Sequence, residues 1–374
     1  MKQFSKIFSL LILFTCGIHV IQGQTSAKDS STVVEIIYSE RAITEIRDTG
    51  VYKLLRGDVR LKQDTLRFRA DSATIVDDTE VFAEGNIIIQ QGDSLNIFGD
   101  SLDYSGVSRQ AVMRHDVVLE NLNRKLFTDV LYYDLKAKIA TYKDGALLTD
   151  EEAQLSSKRG RYIVDNDEVY FYDSVLIVHP DFILKTDSLK YNARTNIAYF
   201  LGPTLITQND ARIYTESGYY DIDSSKALFD LNPQYKEGTK ILTSDSMRYE
   251  GRENKTYILG DVDYRNEDKR IKSDILIYDD STKIADIIGD VDYTSNKSTM
   301  NSEKVKYDTD RDRIITEGRT RIVDGIRELQ AENVDFDNIS GRGLANDGVE
   351  LRDTSDGYSI LSDSLLYKRE NSSA

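Results

Sequence analysis

The sequence has 374 residues, of which 40% are hydrophobic and 30% are charged, so it carries enough apolar material for a folded core. Its formal net charge of −16 argues against a nucleic-acid partner, because binding to nucleic acid begins with neutralisation of phosphates by Lys and Arg. Three Pro, 23 Tyr and no Trp are typical of a polar chain that favours β-structure, and they exclude collagen-like, Pro-rich and coiled-coil architectures.

Residues 1–23 have the pattern of a secretory signal peptide. Lys2 and Lys6 precede an apolar stretch, and Gly23 is the small residue before polar sequence. Cleavage after Gly23 would remove Cys16, the single cysteine, and leave a chain that can form no disulfide. The pattern therefore predicts export. Lipidation at Cys16 is the alternative, and Thr15 disfavours it because a small residue is usual at that place.

An aromatic residue recurs every 29 residues through most of the chain, which is the signature of a repeat architecture. These residues are Tyr104, Tyr133, Tyr162, Tyr191, Tyr220, Tyr249, Tyr278, Tyr307 and Phe336. An acid usually precedes the aromatic residue by four positions, as Asp187 precedes Tyr191. The alternation between the two indicates a strand with one buried face.

A second strand in each repeat contains a glycine, as in the run Gly289-Asp290-Val291. A glycine inside a strand indicates a bulge or bend, so we expect each such strand to fold over and serve two walls of one sheet. The polar connections between strands are short enough for hairpins, and hairpins imply antiparallel neighbours.

The predicted fold class is therefore all-β, an elongated antiparallel β-stack of about twelve 29-residue repeats. Residues 24–50 fit the repeat poorly and are expected to form an N-terminal cap or edge segment. Residues 51–374 are expected to form one continuous stack of repeats in which each unit buries its apolar face against the next.

Three segments carry a resemblance to a known family: residues 70–75 (ADSATI), 83–95 (AEGNIIIQQGDSL) and 99–104 (GDSLDY). They resemble the OstA-like family of lipopolysaccharide-transport proteins, which includes the LptA-type periplasmic bridge. The resemblance implies a β-jellyroll with a partly open groove that binds the acyl chains of lipopolysaccharide in the periplasm. It also implies, as partners, other lipopolysaccharide-transport proteins at the inner and outer membranes, an ATPase among them, and head-to-tail self-association.

The inward-facing stripe of the repeat is the candidate lipid-binding surface. It consists of Ile87, Ile89, Leu102, Tyr104, Val117, Leu119, Leu131, Tyr133, Leu189, Tyr191, Val262, Tyr264, Leu276, Tyr278, Val291, Tyr293, Val305 and Tyr307. On the residue pattern alone this stripe is ordinary core. The resemblance favours the interpretation that it contacts lipid, provided that the two walls do not close.

The sequence contains few residues that could support catalysis or bind a metal ion. After residue 23 the only histidines are His115 and His179, and the motifs of metalloproteases, serine hydrolases and P-loop ATPases are absent. The acids that recur once per repeat are explained by turn hydrogen bonds or by a solvated rim. We therefore predict no enzyme, no cofactor and no metal. The main alternative function is a secreted structural or adhesive β-solenoid with a closed core, and a carbohydrate-active β-helix enzyme is the weaker one.

Overall fold

The computed structural model describes residues 32–91, 95–121, 124–149, 153–296 and 298–368. The predicted signal peptide, with both Cys16 and the cleavage position, lies outside these residues. The described chain divides into two compact units, an N-terminal unit of residues 32–198 and a C-terminal unit of residues 199–368. No helix in these ranges is long and apolar enough to cross a membrane.

The N-terminal unit is built from antiparallel strands and one turn of 3₁₀-helix. In chain order its strands are β1 (Glu35–Tyr38), β2 (Arg41–Arg47), β3 (Gly50–Gln63), β4 (Leu66–Val76), β5 (Glu80–Gln91), β6 (Leu95–Ser105), β7 (Gln110–Asn121), β8 (Arg124–Asp134), β9 (Ile139–Tyr142), β10 (Ala146–Thr149), β11 (Gln154–Ser157), β12 (Arg159–Ile163), β13 (Glu168–Val178) and β14 (Ile183–Asn192). The 3₁₀ turn is Val164–Asn166, and β15 (Ile197–Phe200) spans the boundary between the units.

The C-terminal unit repeats the same antiparallel pattern. Its strands are β16 (Thr204–Gln208), β17 (Ala211–Thr215), β18 (Ser217–Asp221), β19 (Lys226–Asp230), β20 (Gln234–Glu237), β21 (Lys240–Thr243), β22 (Ser246–Glu250), β23 (Lys255–Asn266), β24 (Lys269–Asp279), β25 (Ile284–Ser295), β26 (Ser298–Asp308), β27 (Arg313–Asp324), β28 (Arg327–Asp337), β29 (Arg342–Asp353) and β30 (Tyr358–Lys368). A 3₁₀ turn, Gly251–Glu253, precedes β23.

Each long strand contributes to two walls of the sheet that meet at a β-bulge. In β25, residues 284–288 pair with β26 on one side of the bulge and residues 291–294 pair with it on the other. We call the wall that contains residues 284–288 wall B and the wall that contains residues 291–295 wall A. The same division holds in β3, where the register shifts between Arg56 and Val59. The predicted hairpins, mid-strand bend and all-β antiparallel fold are thus confirmed in both units.

The corner between the walls explains the recurring glycines and acids. Gly289 has φ +82°, in the left-handed region that favours glycine. A Cβ on Gly289 would overlap the carboxylate of Asp274, which lies on the neighbouring strand. Gly260 stands in the same way against Asp245. The acid of one strand therefore occupies the space that the bulge glycine of the next strand leaves free.

A buried hydroxyl recurs at seven successive corners, directly before the acid at six of them and before Lys158 at the seventh, and the sequence pattern had not drawn attention to it. The residues are Thr128, Ser157, Thr186, Thr215, Ser244, Ser273 and Ser302, spaced 29 residues apart. Each side-chain oxygen donates a hydrogen bond to the carbonyl two residues later, as Ser273 does to Ile275 O at 3.2 Å. These bonds satisfy polar backbone groups where the ladder is interrupted by the bulge.

Candidate functional site

The C-terminal unit contains a cavity of about 1060 Å³ between wall A and wall B, along strands β23 to β30. Its lining is mostly apolar and follows the 29-residue period. Wall A contributes Tyr264, Tyr293, Ile322 and Leu351 from one column of equivalent positions, and Ile271, Met300 and Leu329 from the next. Wall B contributes Ile287, Val305, Val334, Phe336 and Leu365.

Polar side chains lie at the two edges of this cavity, at the hairpin turns. Asn266, Lys269, Ser295 and Asp324 come from the turns of wall A, and Asp312 from a turn of wall B. The cavity therefore has an apolar interior and a polar rim. We call the gap between the two rows of turns the mouth.

The predicted stripe faces the interior, but its members have two different surroundings. Fourteen of its 18 residues are buried, and four are partly exposed: Leu119, Tyr264, Tyr293 and Tyr307. Five members line the cavity, namely Tyr264, Val291, Tyr293, Val305 and Tyr307. The stripe residues from Ile87 to Tyr133 belong instead to a packed cluster that extends from Val34 to Ala140. Their role in lipid binding stays a prediction.

Sequence reasoning missed most of the apolar cavity lining. Ile271, Met300 and Leu329 are spaced 29 residues apart and would have been found by extending the period three residues upstream of the recurring acid. Ile322 and Leu351 continue the column of Tyr264 and Tyr293, and they were missed because the side chain changes from aromatic to aliphatic.

In the N-terminal unit the two walls are joined across the mouth by a hydrogen bond between Tyr104 and Gln63. Tyr104 lies at the wall B end of β6, and Gln63 lies at the wall A end of β3. The tyrosine hydroxyl donates to Gln63 Oε1. Gln63 Nε2 donates in turn to the Gly106 carbonyl at 3.3 Å, also on the wall B side, and the Gln63 side chain is only 1% exposed.

Two further contacts close the same mouth. Tyr133 Oη donates to Gln91 Oε1 at 2.8 Å, which repeats the Tyr104 contact one period later. At the turns themselves, Arg109 Nη2 lies 2.6 Å from Asp64 Oδ2. We call the pairs Tyr104–Gln63 and Tyr133–Gln91 the Gln–Tyr clasp.

Three strands along the cavity, β23, β25 and β27, have shorter side chains at the positions equivalent to the two glutamines. Gln63 and Gln91 each follow the bulge glycine by six residues, and the corresponding residues after Gly260, Gly289 and Gly318 are Asn266, Ser295 and Asp324. Each side chain is shorter than glutamine by at least one carbon or carries a carboxylate in place of the amide.

The aromatic partners differ as well. Tyr307, the counterpart of Tyr104, donates its hydroxyl to Asp312 Oδ1 at 2.9 Å within wall B. Phe336, one period later, has no hydroxyl. The cavity thus lies where the Gln–Tyr clasp is replaced.

Burial governs the electrostatics of the interior. It raises the pKa of Tyr104 and of Tyr133 to about 12, because the phenolate would lose its hydration. Burial also raises the pKa of Tyr264 in the cavity wall, so these hydroxyls stay neutral donors. On the outer face, hydrogen bonds from Arg270 and Arg265 lower the pKa of Asp263. In the described ranges no cluster of His, Cys, Asp and Glu could hold a metal ion.

Two family models match the chain side by side. The model described as OstA-like protein matches residues 32–187, and the model described as LptA/(LptD N-terminal domain) LPS transport protein matches residues 183–313. No curated protein matches the chain. Together the two models span residues 32–313, which includes the whole N-terminal unit that the structure describes and the first strands of the cavity.

Two solved structures are similar over parts of their length. One is LptH, the LptA-homologous periplasmic component of the lipopolysaccharide transport device of Pseudomonas aeruginosa, at 18% identity and TM-score 0.26, covering 28% of this chain and 79% of that one. The other is the extracellular domain of a one-component system from B. thetaiotaomicron, at 8% identity and TM-score 0.09, covering 88% and 78%. At these TM-scores the structures add nothing to the two sequence matches. On those matches, the chain belongs to the OstA-like, LptA-type family.

Proposed function

We propose that this protein is a periplasmic lipopolysaccharide-binding bridge that helps carry lipopolysaccharide from the inner to the outer membrane. It would do so by holding the acyl chains in its apolar β-interior. The single observation that supports this most directly is the cavity of about 1060 Å³ between walls A and B. A cavity of this size, apolar inside and polar at its edge, suits a ligand with hydrocarbon chains and a hydrated head.

The physical basis is transfer of methylene groups out of water. Each buried methylene contributes about 0.8 kcal/mol, so a chain of about a dozen carbons gains on the order of 10 kcal/mol before the costs of association are subtracted. Acyl chains can occupy the interior without displacing charged side chains from it, because the cavity walls carry aliphatic and aromatic groups such as Met300 and Ile322. Transport would then proceed by binding and release alone.

Partners and location belong to the same proposal. Membership of the family supports a periplasmic place and contacts with other lipopolysaccharide-transport proteins at the inner and outer membranes. Head-to-tail self-association stays a prediction, as does the absence of enzymatic activity. The domain boundaries expected at residues 23 and 50 also stay predictions.

The experiment that tests the function is site-specific photo-crosslinking in cells. A photoreactive residue at Val305 or Tyr293 faces the cavity, whereas one at the neighbouring exposed positions Lys306 or Asp292 faces outward. We expect capture of lipopolysaccharide at the inward pair and not at the outward pair. If a folded and exported protein captures no lipid at any of the four positions, the alternative of a structural β-solenoid replaces the transport function.

A further inference from the structure

We propose that acyl chains occupy the section of the C-terminal unit between β23 and β30, and that the Gln–Tyr clasp keeps them out of residues 50–142 of the N-terminal unit. This inference rests on the proposed function and adds to it where the lipid lies and what sets the limit. The side chain six residues after each bulge glycine would determine whether lipid can enter that part of the interior. A glutamine there closes the interior, and a shorter side chain leaves it open.

The first argument is the geometry of the clasp. Gln63 reaches from the end of wall A to two groups on the wall B side, the Tyr104 hydroxyl and the Gly106 carbonyl. Tyr104 follows Gln63 by 41 residues and Tyr133 follows Gln91 by 42. Two consecutive repeats are therefore closed by the same pair of side chains at nearly the same spacing, which makes the contact a property of the repeat.

The second argument is that the pair is replaced where the cavity lies. Tyr307 follows Asn266 by 41 residues, yet its hydroxyl bonds to Asp312 in its own wall. The amide oxygen of Asn266 accepts from Thr239 Oγ1 at 2.8 Å, at the turn between β20 and β21. Phe336 follows Ser295 by 41 residues and brings no hydroxyl to the mouth.

The third argument is the packing behind the mouth. In the N-terminal unit, Leu61 and Ile89, which follow their bulge glycines by four residues, are 3% and 2% exposed and belong to the packed cluster. In the C-terminal unit, Tyr293 and Ile322 are partly exposed and face the cavity. An acyl chain therefore finds space in one section, whereas in the other it would have to displace side chains that already fill the interior.

The volume sets how much lipid this section takes. A methylene group occupies about the volume of a water molecule, roughly 30 Å³, so a cavity of this size holds about 35 such groups. This is enough for about three chains of about a dozen carbons. A lipid with more chains than this would leave the remainder outside the walls or would widen the mouth.

The test uses the full-length protein and lipopolysaccharide that carries a photoreactive diazirine in its acyl chains, with the adducts mapped by mass spectrometry of peptides. No interior residue is changed, so folding of the wild-type chain is not at risk. We expect adducts in residues 255–368 and not in residues 50–142. Adducts in both regions would overturn the confinement and leave the proposed function standing. Adducts in neither region, in a folded protein, would overturn the proposed function itself.

Exchange of the mouth residues then tests the determinant. The double variant Gln63→Ser and Gln91→Ser removes both clasps, and we expect adducts to appear in the N-terminal unit. Gln90→Ser is the matched control, because Gln90 pairs with Arg67 on the opposite face of the strand from Gln91. If the double variant is folded by circular dichroism and still gives no adducts there, the clasp is not what excludes lipid.

The reciprocal variant Ser295→Gln with Phe336→Tyr installs the pair at its natural spacing of 41 residues in the cavity. One net hydrogen bond across the mouth corresponds to about a tenfold shift of the equilibrium toward the closed form. We expect a loss of adducts of about that size around β25 to β28. Unchanged labelling by a folded variant, with Ser295→Gln alone as control, would contradict the role given to this position.

Discussion

The substitution Tyr104→Phe tests the clasp by its effect on the free energy of unfolding. It removes one hydroxyl and keeps the buried ring. Gln63, which is almost inaccessible to water, then loses the hydrogen bond that the Tyr104 hydroxyl donates to its Oε1. Loss of a partner by a buried acceptor costs about 1–3 kcal/mol. For Tyr133→Phe we expect a smaller cost, about 0.5–1.5 kcal/mol, because Gln91 is only half-buried and water can replace the lost donor.

The effect of Tyr104→Phe on the free energy of unfolding depends on pH, and the sign of this dependence follows from the pKa of Tyr104. Tyr104 titrates near pH 10 in the unfolded chain, whereas burial raises its pKa to about 12 in the folded protein. The protonated hydroxyl therefore contributes stability that is fully present below pH 10 and is lost as the pH rises toward 12. At pH 11 this loss is about 1.4 kcal/mol, and the phenylalanine variant cannot undergo it. At pH 11 the difference in free energy of unfolding between wild type and Tyr104→Phe should therefore be smaller than at neutral pH by about 1.4 kcal/mol.

Urea unfolding followed by far-ultraviolet circular dichroism at a series of pH values from neutral to 11 measures this difference. Ile75→Val is the control, because it removes one buried methyl group and no titrating group, and it costs about 0.5–1.5 kcal/mol at every pH. A difference between wild type and Tyr104→Phe that stays constant up to pH 11 would refute the reasoning, since Tyr104 would then titrate alike in the folded and unfolded states.

Two further predictions concern the corner and the outer face. Gly289→Ala should destabilise the C-terminal unit by at least about 1–2 kcal/mol in urea unfolding, because φ is +82° and the new Cβ meets the Asp274 carboxylate. An unchanged free energy of unfolding would mean that the bulge relaxes freely. Hydrogen bonds from Arg270 and Arg265 lower the pKa of Asp263, so its stabilising contribution is present above its ordinary pKa and is lost as the pH falls below it. Asp263→Asn should accordingly make unfolding less sensitive to acid than in wild type, and an unchanged acid profile would contradict this.

The period of the sequence was sufficient to predict the fold, because the physical cause of the repeat is local. Alternation from Asp187 to Tyr191 places one face of a strand inward whatever its neighbours are. A glycine such as Gly289 marks a bulge because only glycine accepts that φ without strain. Each repeat then pairs with the next in one register, since a shift by one residue would turn the apolar face outward.

The clasp could not be predicted in the same way. Gln63 stands at the end of a strand, where a glutamine usually indicates a solvated edge, and its partner lies 41 residues away, which is not a multiple of the period. Only the pairing register shows that Gln63 and Tyr104 end opposite walls. The buried Ser and Thr column was within reach of the sequence, because Ser244, Ser273 and Ser302 keep the period, but hydroxyl residues in strands give no strong signal of their own.

The open section needs no contact across the mouth, because the polar groups of its turns are satisfied along each row. Asn296 Nδ2 donates to Asp268 Oδ1 at 2.8 Å, which joins two successive turns of wall A.

Asn338 Nδ2 donates to Asp312 Oδ1 at 3.1 Å, which joins two turns of wall B. With these donors and acceptors already paired, closure would bring no new hydrogen bonds to offset the cost of dehydrating the rim. In the N-terminal unit the buried side chain of Gln63 finds its partners on the opposite wall. Hydrogen bonds along each row of turns therefore leave a cavity between the two walls. Hydrogen bonds from one wall to the other close the same two walls around a packed core.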